Sequence, residues 1–197
     1  MEFVSGDGEK RGWYARGNLP HFDAKNTVQM ITLRQHDSLP KSVVSQLRLD
    51  RIDGMQTPDE RRELEQQLDS CHGSCLLGKR EVAEVFEEWL FRLHGDHFLL
   101  FAYVVMPNHV HLLLEVADEM PLASAMKTLK ECSARAINVA LGRRGTLWCR
   151  EYHDRFIRDS NHFHAAVRYI EENPVKAGFV RSVGDWRFGS GWKGWST

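Results

Sequence analysis

The chain lacks a long apolar run. Its longest, Phe98 to Met106, falls well short of the roughly 20 residues that a membrane-spanning helix needs, so it reads as a buried strand and no membrane partner is expected. It also lacks a surplus of either charge. Against 26 Lys and Arg stand 27 Asp and Glu, a net −1, which excludes a uniformly basic nucleic-acid coat. Only 4 cysteines occur in 197 residues, at Cys71, Cys75, Cys132 and Cys149, too scattered for a disulfide framework. Cys71-His72-x-x-Cys75 has the look of half a zinc site. No second pair follows at knuckle spacing, so reduced thiols in a cytoplasmic protein are the expectation. The 6 prolines and the lack of low-complexity tracts or fixed-period repeats exclude collagen-like, Pro-rich and solenoid chains. The opening Met1-Glu2-Phe3-Val4 has no basic segment before an apolar core, so no secretory leader is expected.

What is present is an ordinary globular composition, 42% hydrophobic and 27% charged, long enough for one core with extensions. The expected organisation is an N-terminal arm over residues 1–25, one domain over 26–180 with a helical insert near 40–78, and a tail over 181–197. The charge is unevenly spread. Arg48 to Asp96 holds 7 basic and 12 acidic residues, and Lys127 to Thr197 holds 13 basic and 7 acidic. The first stretch is acidic and has no evident task; the second can offer a polyanion-binding face or simply a solvated one.

Asn26 to Gln35 reads as a strand. Thr57-Pro58-Asp59-Glu60 is a capping box that opens a helix. Lys79 to His94 places Val82, Val85, Phe86, Trp89, Leu90 and Leu93 on one helical face, and Gly95 stops it. His97 to Met106 and His109 to Val116 are strands joined so tightly that they must be antiparallel neighbours. Leu122 to Leu141 is an amphipathic helix stopped by Gly142. Gly145 to Arg158 reads as a loop and a strand, and Asp159-Ser160 caps a last helix expected to end near Asn173, because Pro174 follows. The order predicts an α+β fold: a ferredoxin-like β-α-β-β-α-β sandwich with an antiparallel central sheet and an additional C-terminal helix. The strand after Pro107-Asn108 is expected near the middle of that sheet.

That strand carries His109-Val110-His111. Residues two apart in a strand share a face, so the two imidazoles lie side by side and can chelate a divalent cation. Alone, such a pair is more often structural. Tyr169 and Asn173, four apart on the last helix, project together and can deliver a nucleophile and a third ligand. Each also has a plainer reading, as a core phenol and as a helix C-terminal amide.

Three motifs in order carry a resemblance: Val104-Val105-Met106-Pro107-Asn108-His109-Val110-His111-Leu112-Leu113-Leu114, then Trp148-x-Arg150-Glu151-Tyr152-x-Asp154-Arg155-x-Ile157-Arg158-Asp159, then Tyr169-Ile170-x-x-Asn173-Pro174-Val175-Lys176-Ala177-Gly178. From about Pro20 to Arg187 the chain resembles the REP-associated tyrosine transposases, single-tyrosine members of the HUH (His-hydrophobic-His) transposases of insertion sequences. The resemblance implies a DNA-nicking and rejoining enzyme. His109, His111 and Asn173 would hold Mg²⁺ or Mn²⁺, and Tyr169 would attack DNA to leave a 5′-phosphotyrosine and a free 3′-OH. Some insertion-sequence relatives carry Gln at the place of Asn173. The helix carrying Tyr169 would be the additional C-terminal one.

The implied partner is single-stranded DNA with a hairpin, a REP-like palindrome, bound by a monomer or homodimer in the cytoplasm, at the nucleoid. Candidate phosphate contacts are Arg11, Lys127, Lys130, Arg143, Arg144, Arg150, Arg155, Arg158, Arg168 and Lys176, of which Arg168 and Lys176 can also favour the phenolate of Tyr169. Trp13, Tyr14 and the tail residues Trp186, Trp192 and Trp195 are candidate base-stacking groups. Tyr152 is the rival nucleophile. Two other function classes stay open: a catalytically silent nucleic-acid-binding protein derived from a transposase, and a metal-dependent phosphohydrolase. The second is weakened because Leu113 stands where a third alternate histidine would fall.

Overall fold

The computed structural model describes residues 12–15, 20–40, 42–43 and 58–194. Ten elements of regular structure organise them: β1 (Gly12–Ala15), β2 (Pro20–Asp23), β3 (Val28–Arg34), α1 (Pro58–Asp69), α2 (Arg80–Leu93), β4 (Phe98–Val105), β5 (His109–Val116), α3 (Leu122–Ala140), β6 (His153–Phe156) and α4 (Ser160–Lys176). Helix α1 begins at the proline of the expected capping box, whose Thr57 lies outside the described residues.

The central sheet has the order β4-β5-β3-β6, with every neighbouring pair antiparallel. This is the order of the expected ferredoxin-like sandwich, and it puts β5 in the interior. Strand alternation then divides the molecule into two layers. Ile31, Leu33, Val110, Leu112 and Leu114 point to the face covered by α2 and α3, where the larger apolar cluster forms. Met30 and Leu113 point to the opposite face, where α4 lays Ala166 and Ile170 on them. Each fully buried Leu, Ile or Phe is stabilised by about 1.5–3 kcal/mol. The α2/α3 layer, with Phe86, Leu90, Met126 and Leu129 all 0% exposed, therefore carries most of the fold. The face under α4 holds the smaller cluster and can accommodate buried polar groups.

Two boundaries differ from expectation. Helix α4 does not end before Pro174 but runs through it to Lys176. A proline so close to a helix end removes only one backbone bond, and the turn beyond it is repaired: Ala177 donates to the Asn173 carbonyl at 2.9 Å and Phe179 to that of Pro174 at 2.9 Å. Gly178, at φ 77°, then supplies the left-handed stop. The helix begins where expected, with the Asp159 carboxylate accepting from the His162 amide at 2.8 Å.

The stretch expected to be an irregular arm contains the two-stranded sheet β1-β2. It docks beside β6, where His21 Nδ1 and an Asp154 carboxylate oxygen share a hydrogen bond and Phe22 donates its amide to the second Asp154 oxygen at 2.9 Å. Gln29 reaches the Phe22 carbonyl at 2.6 Å, and Asp23 accepts the Leu122 amide at the start of α3, at 3.0 Å. These are long-range polar contacts with no local periodicity, so short strands of this kind leave no pattern to read. Asp154→Ala would strand His21 and the Phe22 amide away from water. A loss of about 2–3 kcal/mol is expected in urea unfolding, with faster proteolysis before Ala24.

The C-terminal tail runs along the free edge of β4: Val105 donates to the Phe188 carbonyl at 2.8 Å and Ser190 to that of Tyr103 at 2.9 Å. Arg187 meets buried Glu87 at 3.2 Å, and Glu87 accepts the Tyr103 hydroxyl at 2.7 Å. The exposed edge is thereby covered rather than left open to pairing.

Candidate active site

His109 and His111 lie on the α4 face of the sheet, 1% and 2% exposed, with ring centroids 4.8 Å apart. Each ring is oriented through Nδ1. His109 Nδ1 lies 2.8 Å from the Asn108 side-chain oxygen, and His111 Nδ1 lies 2.9 Å from the Thr32 hydroxyl. The Asn108 oxygen can only accept, so His109 carries its proton on Nδ1 and keeps the Nε2 lone pair free, the form in which imidazole ligates metals; the Thr32 hydroxyl can accept from His111 in the same way. Burial, with His111 adding its own charge repulsion, holds His109 well below its ordinary pKa. Burial alone brings His111 down to about 3. Both rings are therefore neutral at physiological pH.

Helix α4 brings Tyr169 against this pair, its ring centroid 5.4 Å from that of His111. One turn on, Asn173 is 2% exposed. Two buried atoms here, His109 Nε2 and Asn173 Oδ1, have no hydrogen-bond partner. An orphaned buried acceptor costs about 1–3 kcal/mol, and both of these belong to residues expected from the sequence to hold a cation. Among the described residues no three His, Cys, Asp or Glu side chains gather into a metal site, so the amide oxygen is needed. The donor set of two neutral imidazoles and an amide oxygen fits a divalent ion of the Mn²⁺ or Mg²⁺ type, Mn²⁺ the better.

Helix α1, from the acidic insert, reaches the same place. Glu65 hydrogen-bonds the Tyr169 hydroxyl, and Asp69 adds a nearby negative charge; with burial as the largest cause, the phenol is pushed far above its ordinary pKa, while the Asn173 amide opposes the shift. Asp69 Oδ1 stands 4.0 Å from His109 Nε2. Burial raises the Asp69 carboxyl to about 6, Glu65 adding to the shift and Lys176 opposing it. Lys176 lies over the Tyr169 ring, 5.3 Å from its centroid, and pairs with Glu172 at 3.0 Å.

The expected DNA-contacting residues fall into separate groups. Arg168 and Lys176 flank the site on α4 and are exposed. Lys127 and Lys130 are on α3, with Arg143, Arg144 and Arg150 in the segment after it, in the layer on the other side of the sheet. Lys127 is exposed beside Glu131. Lys130 is instead committed to structure, donating to the Arg150 carbonyl at 2.7 Å, and burial lowers its pKa. Arg143 leans on the Thr146 carbonyl at 3.4 Å. Arg144, Arg150, Arg155 and Arg158 are exposed.

Tyr14 is 2% exposed, its hydroxyl 3.4 Å from that of Tyr152, so base stacking is closed to it: a short strand has drawn it into the core. Trp13 packs on Phe22 and Phe156. Trp186 donates its indole N–H to the Val105 carbonyl at 3.1 Å and Trp192 lies under Arg187, so both anchor the tail. Arg11 and Trp195 lie outside the described residues. The Cys71 and Cys75 thiols are unlinked, and burial pushes Cys71 up to about 11, which suits an inert thiol rather than a zinc thiolate.

Sequence reasoning missed Asn108, Thr32, Glu65 and Asp69. Asn108 had a signal, being the side chain next to His109 at a turn. Thr32 is found only through the β3–β5 register, and the two acids only through the docking of α1.

The profile described as "Transposase IS200 like" matches residues 78–173. The REP-associated tyrosine transposase of Escherichia coli K12 is 28% identical over 92 residues, covering 46% of this chain and 53% of its own. A Haemophilus influenzae protein that bears the same name provisionally is 32% identical over 99 residues, covering 45% of this chain and 56% of its own. The matches thus span about half the length of these curated relatives. A solved REP-associated tyrosine transposase bound to a REP hairpin superimposes with a TM-score of 0.55 at 18% identity, over 86% of this chain and 79% of that one; it shares the fold. Together these likenesses lead to one conclusion: residues 78–173, just under half of the chain, match the IS200-like transposase family, and the chain shares the fold of a REP-associated tyrosine transposase.

Proposed function

We propose that the protein nicks and rejoins single-stranded DNA beside a REP-like hairpin, through a covalent 5′-phosphotyrosine at Tyr169. One observation carries this reading: α4 brings Tyr169 to 5.4 Å from His111 and, a turn later, the unpartnered oxygen of Asn173. Phenol, imidazoles and amide thus meet within one chain, which favours a protein that works as a monomer with its site in cis. The solved relative with a REP hairpin bound supports the substrate class, and such a substrate would be met at the nucleoid.

His109, His111 and Asn173 would hold Mg²⁺ or Mn²⁺, which when bound polarises the scissile phosphate. The chain's own groups do the rest. Asn108 fixes the His109 ring in the ligating tautomer, and Thr32 orients that of His111. As the Tyr169 oxygen bonds to phosphorus, its proton passes to Glu65, which already accepts it. The bond from phosphorus to the 3′ oxygen breaks, and that oxygen takes a proton from solvent. The tyrosyl ester conserves the phosphodiester, so a second 3′-OH can reverse the step without ATP. Arg168 and Lys176, exposed beside the site, are placed to meet flanking phosphates.

The test is incubation of the full chain with hairpin-bearing single-stranded DNA and Mn²⁺, with adducts resolved on a denaturing gel. A DNA–protein adduct is expected, suppressed by EDTA and reduced by about 100-fold or more in His109→Ala, beyond the 10- to 100-fold typical of outer-shell partners. Tight hairpin binding with no adduct under any divalent ion would instead establish the silent binding protein.

A further inference from the structure

Helix α1 lies outside the segment matched to the family, residues 78–173, and the acidic insert it belongs to has no part in the chemistry just described apart from Glu65. Yet its C-terminal residue, Asp69, stands at the site. We propose that α1 closes the metal site and that Asp69 is a further protein ligand of the divalent ion held by His109, His111 and Asn173. The inference rests on the metal-site reading above and adds a residue to it.

Three observations carry it. The first is spacing. Asp69 Oδ1 is 4.0 Å from His109 Nε2, too long for a hydrogen bond. Two ligands of one ion, each bonded at about 2.1 Å, stand roughly 3–4.2 Å apart according to the angle between them. The second is the absence of any other partner for these groups: His109 Nε2 and Asn173 Oδ1 are both buried and unpaired. The third is that α1 is seated over the site by a separate contact, Glu65 on the Tyr169 hydroxyl one turn earlier. The loop after α1 is tied down as well, Asn108 donating to the His72 carbonyl at 3.2 Å.

The chemistry favours this carboxylate. Two imidazoles and an amide carry no charge, whereas Mg²⁺ and Mn²⁺ prefer oxygen and anionic donors. A carboxylate supplies both. The Asp69 side chain is 27% exposed, so it can turn inward without repacking the core. As it stands, Asp69 does not form with His109 and His111 a group of three that could hold a metal ion, so ligation requires Asp69 to rotate inward.

The experiment is calorimetric titration of the metal-free full chain with Mn²⁺, with water-proton relaxation as a second readout, and no DNA present. Wild type, His109→Ala, Asp69→Ala, Asp69→Asn and Glu65→Gln are compared. Asp69→Ala is expected to weaken Mn²⁺ binding by about 10- to 100-fold and to raise relaxation as water replaces the carboxylate, with Asp69→Asn between it and wild type. Glu65→Gln removes an equal charge one turn away and should lose less than about threefold, which separates ligation from through-space attraction. If His109→Ala abolishes binding while Asp69→Ala matches wild type or Glu65→Gln, the ligand assignment is overturned and the metal site stands. If His109→Ala binds as wild type does, the metal-site reading itself falls.

Discussion

Tyr169→Phe is expected to form no covalent adduct with hairpin DNA, a loss on the order of 10⁵ or more, while folding and Mn²⁺ binding persist. Removal of a covalent nucleophile costs this much because the remaining groups have nothing to deliver to phosphorus. The substitution deletes a single oxygen. The ring keeps its contact with His111 and with Lys176, and the imidazoles keep Asn108 and Thr32. What is lost is the hydroxyl that bonds Glu65 and the Asn173 amide. One such bond contributes about 1 kcal/mol net, so the thermal midpoint should move by only a few degrees.

The matched variant is Tyr152→Phe, expected to leave adduct formation intact. Tyr152 is 7% exposed and belongs to the cluster on the α2/α3 side of the sheet, away from the imidazoles. Its hydroxyl faces that of Tyr14 at 3.4 Å, and burial raises its pKa, with Tyr14 and nearby acids adding. An adduct that survives in Tyr169→Phe and vanishes in Tyr152→Phe would reverse the assignment. The measurement is quantitative gel analysis with labelled DNA, with the Mn²⁺ affinity of each variant measured alongside to show that the site is still built.

The parts of this site that were legible in the sequence are those set by local periodicity. His109 and His111 share a face because a strand repeats every two residues, and Tyr169 and Asn173 share one because a helix repeats near every four. The interior position of β5 followed from element order and the tight Pro107-Asn108 connection. What was not legible depends on pairings distant in sequence. Glu65 and Asp69 lay in an acidic stretch with no evident task, and only the docking of α1 brings them to Tyr169 and His109. Tyr14 and His21 gave no sign of burial, because four-residue strands carry too few residues for a period to show. Helix α4 overrode a reliable local rule at Pro174, where buried packing of the proline outweighed one missing backbone bond.

Gly73→Ala is expected to destabilise the protein by about 3–4 kcal/mol and to loosen the site with it. Gly73 lies in the loop after α1 at φ 87°, between Cys71 at φ 52° and Cys75 at φ 45°. A β-carbon at Gly73 would lie 2.3 Å from the Asp37 carbonyl oxygen and 2.8 Å from its carbon. Those are backbone atoms, so the chain itself must move. The left-handed conformation costs a residue with a β-carbon about 1–2 kcal/mol. Displacement then endangers the bonds that pin the loop, Ser74 to Asp37 at 2.9 Å, Leu76 to Gln35 at 3.2 Å and Asn108 to His72 at 3.2 Å, each worth about 1 kcal/mol. Gly95 is the control. Its φ of 94° is as unfavourable, but nothing lies within 4 Å of an added β-carbon, so Gly95→Ala should cost only about 1–2 kcal/mol in urea unfolding. Because Asn108 also holds the His109 ring, Gly73→Ala should weaken Mn²⁺ binding where Gly95→Ala does not. Equal losses of stability in the two variants would show that the contact with Asp37 carries no weight, and with it the link from this loop to His109.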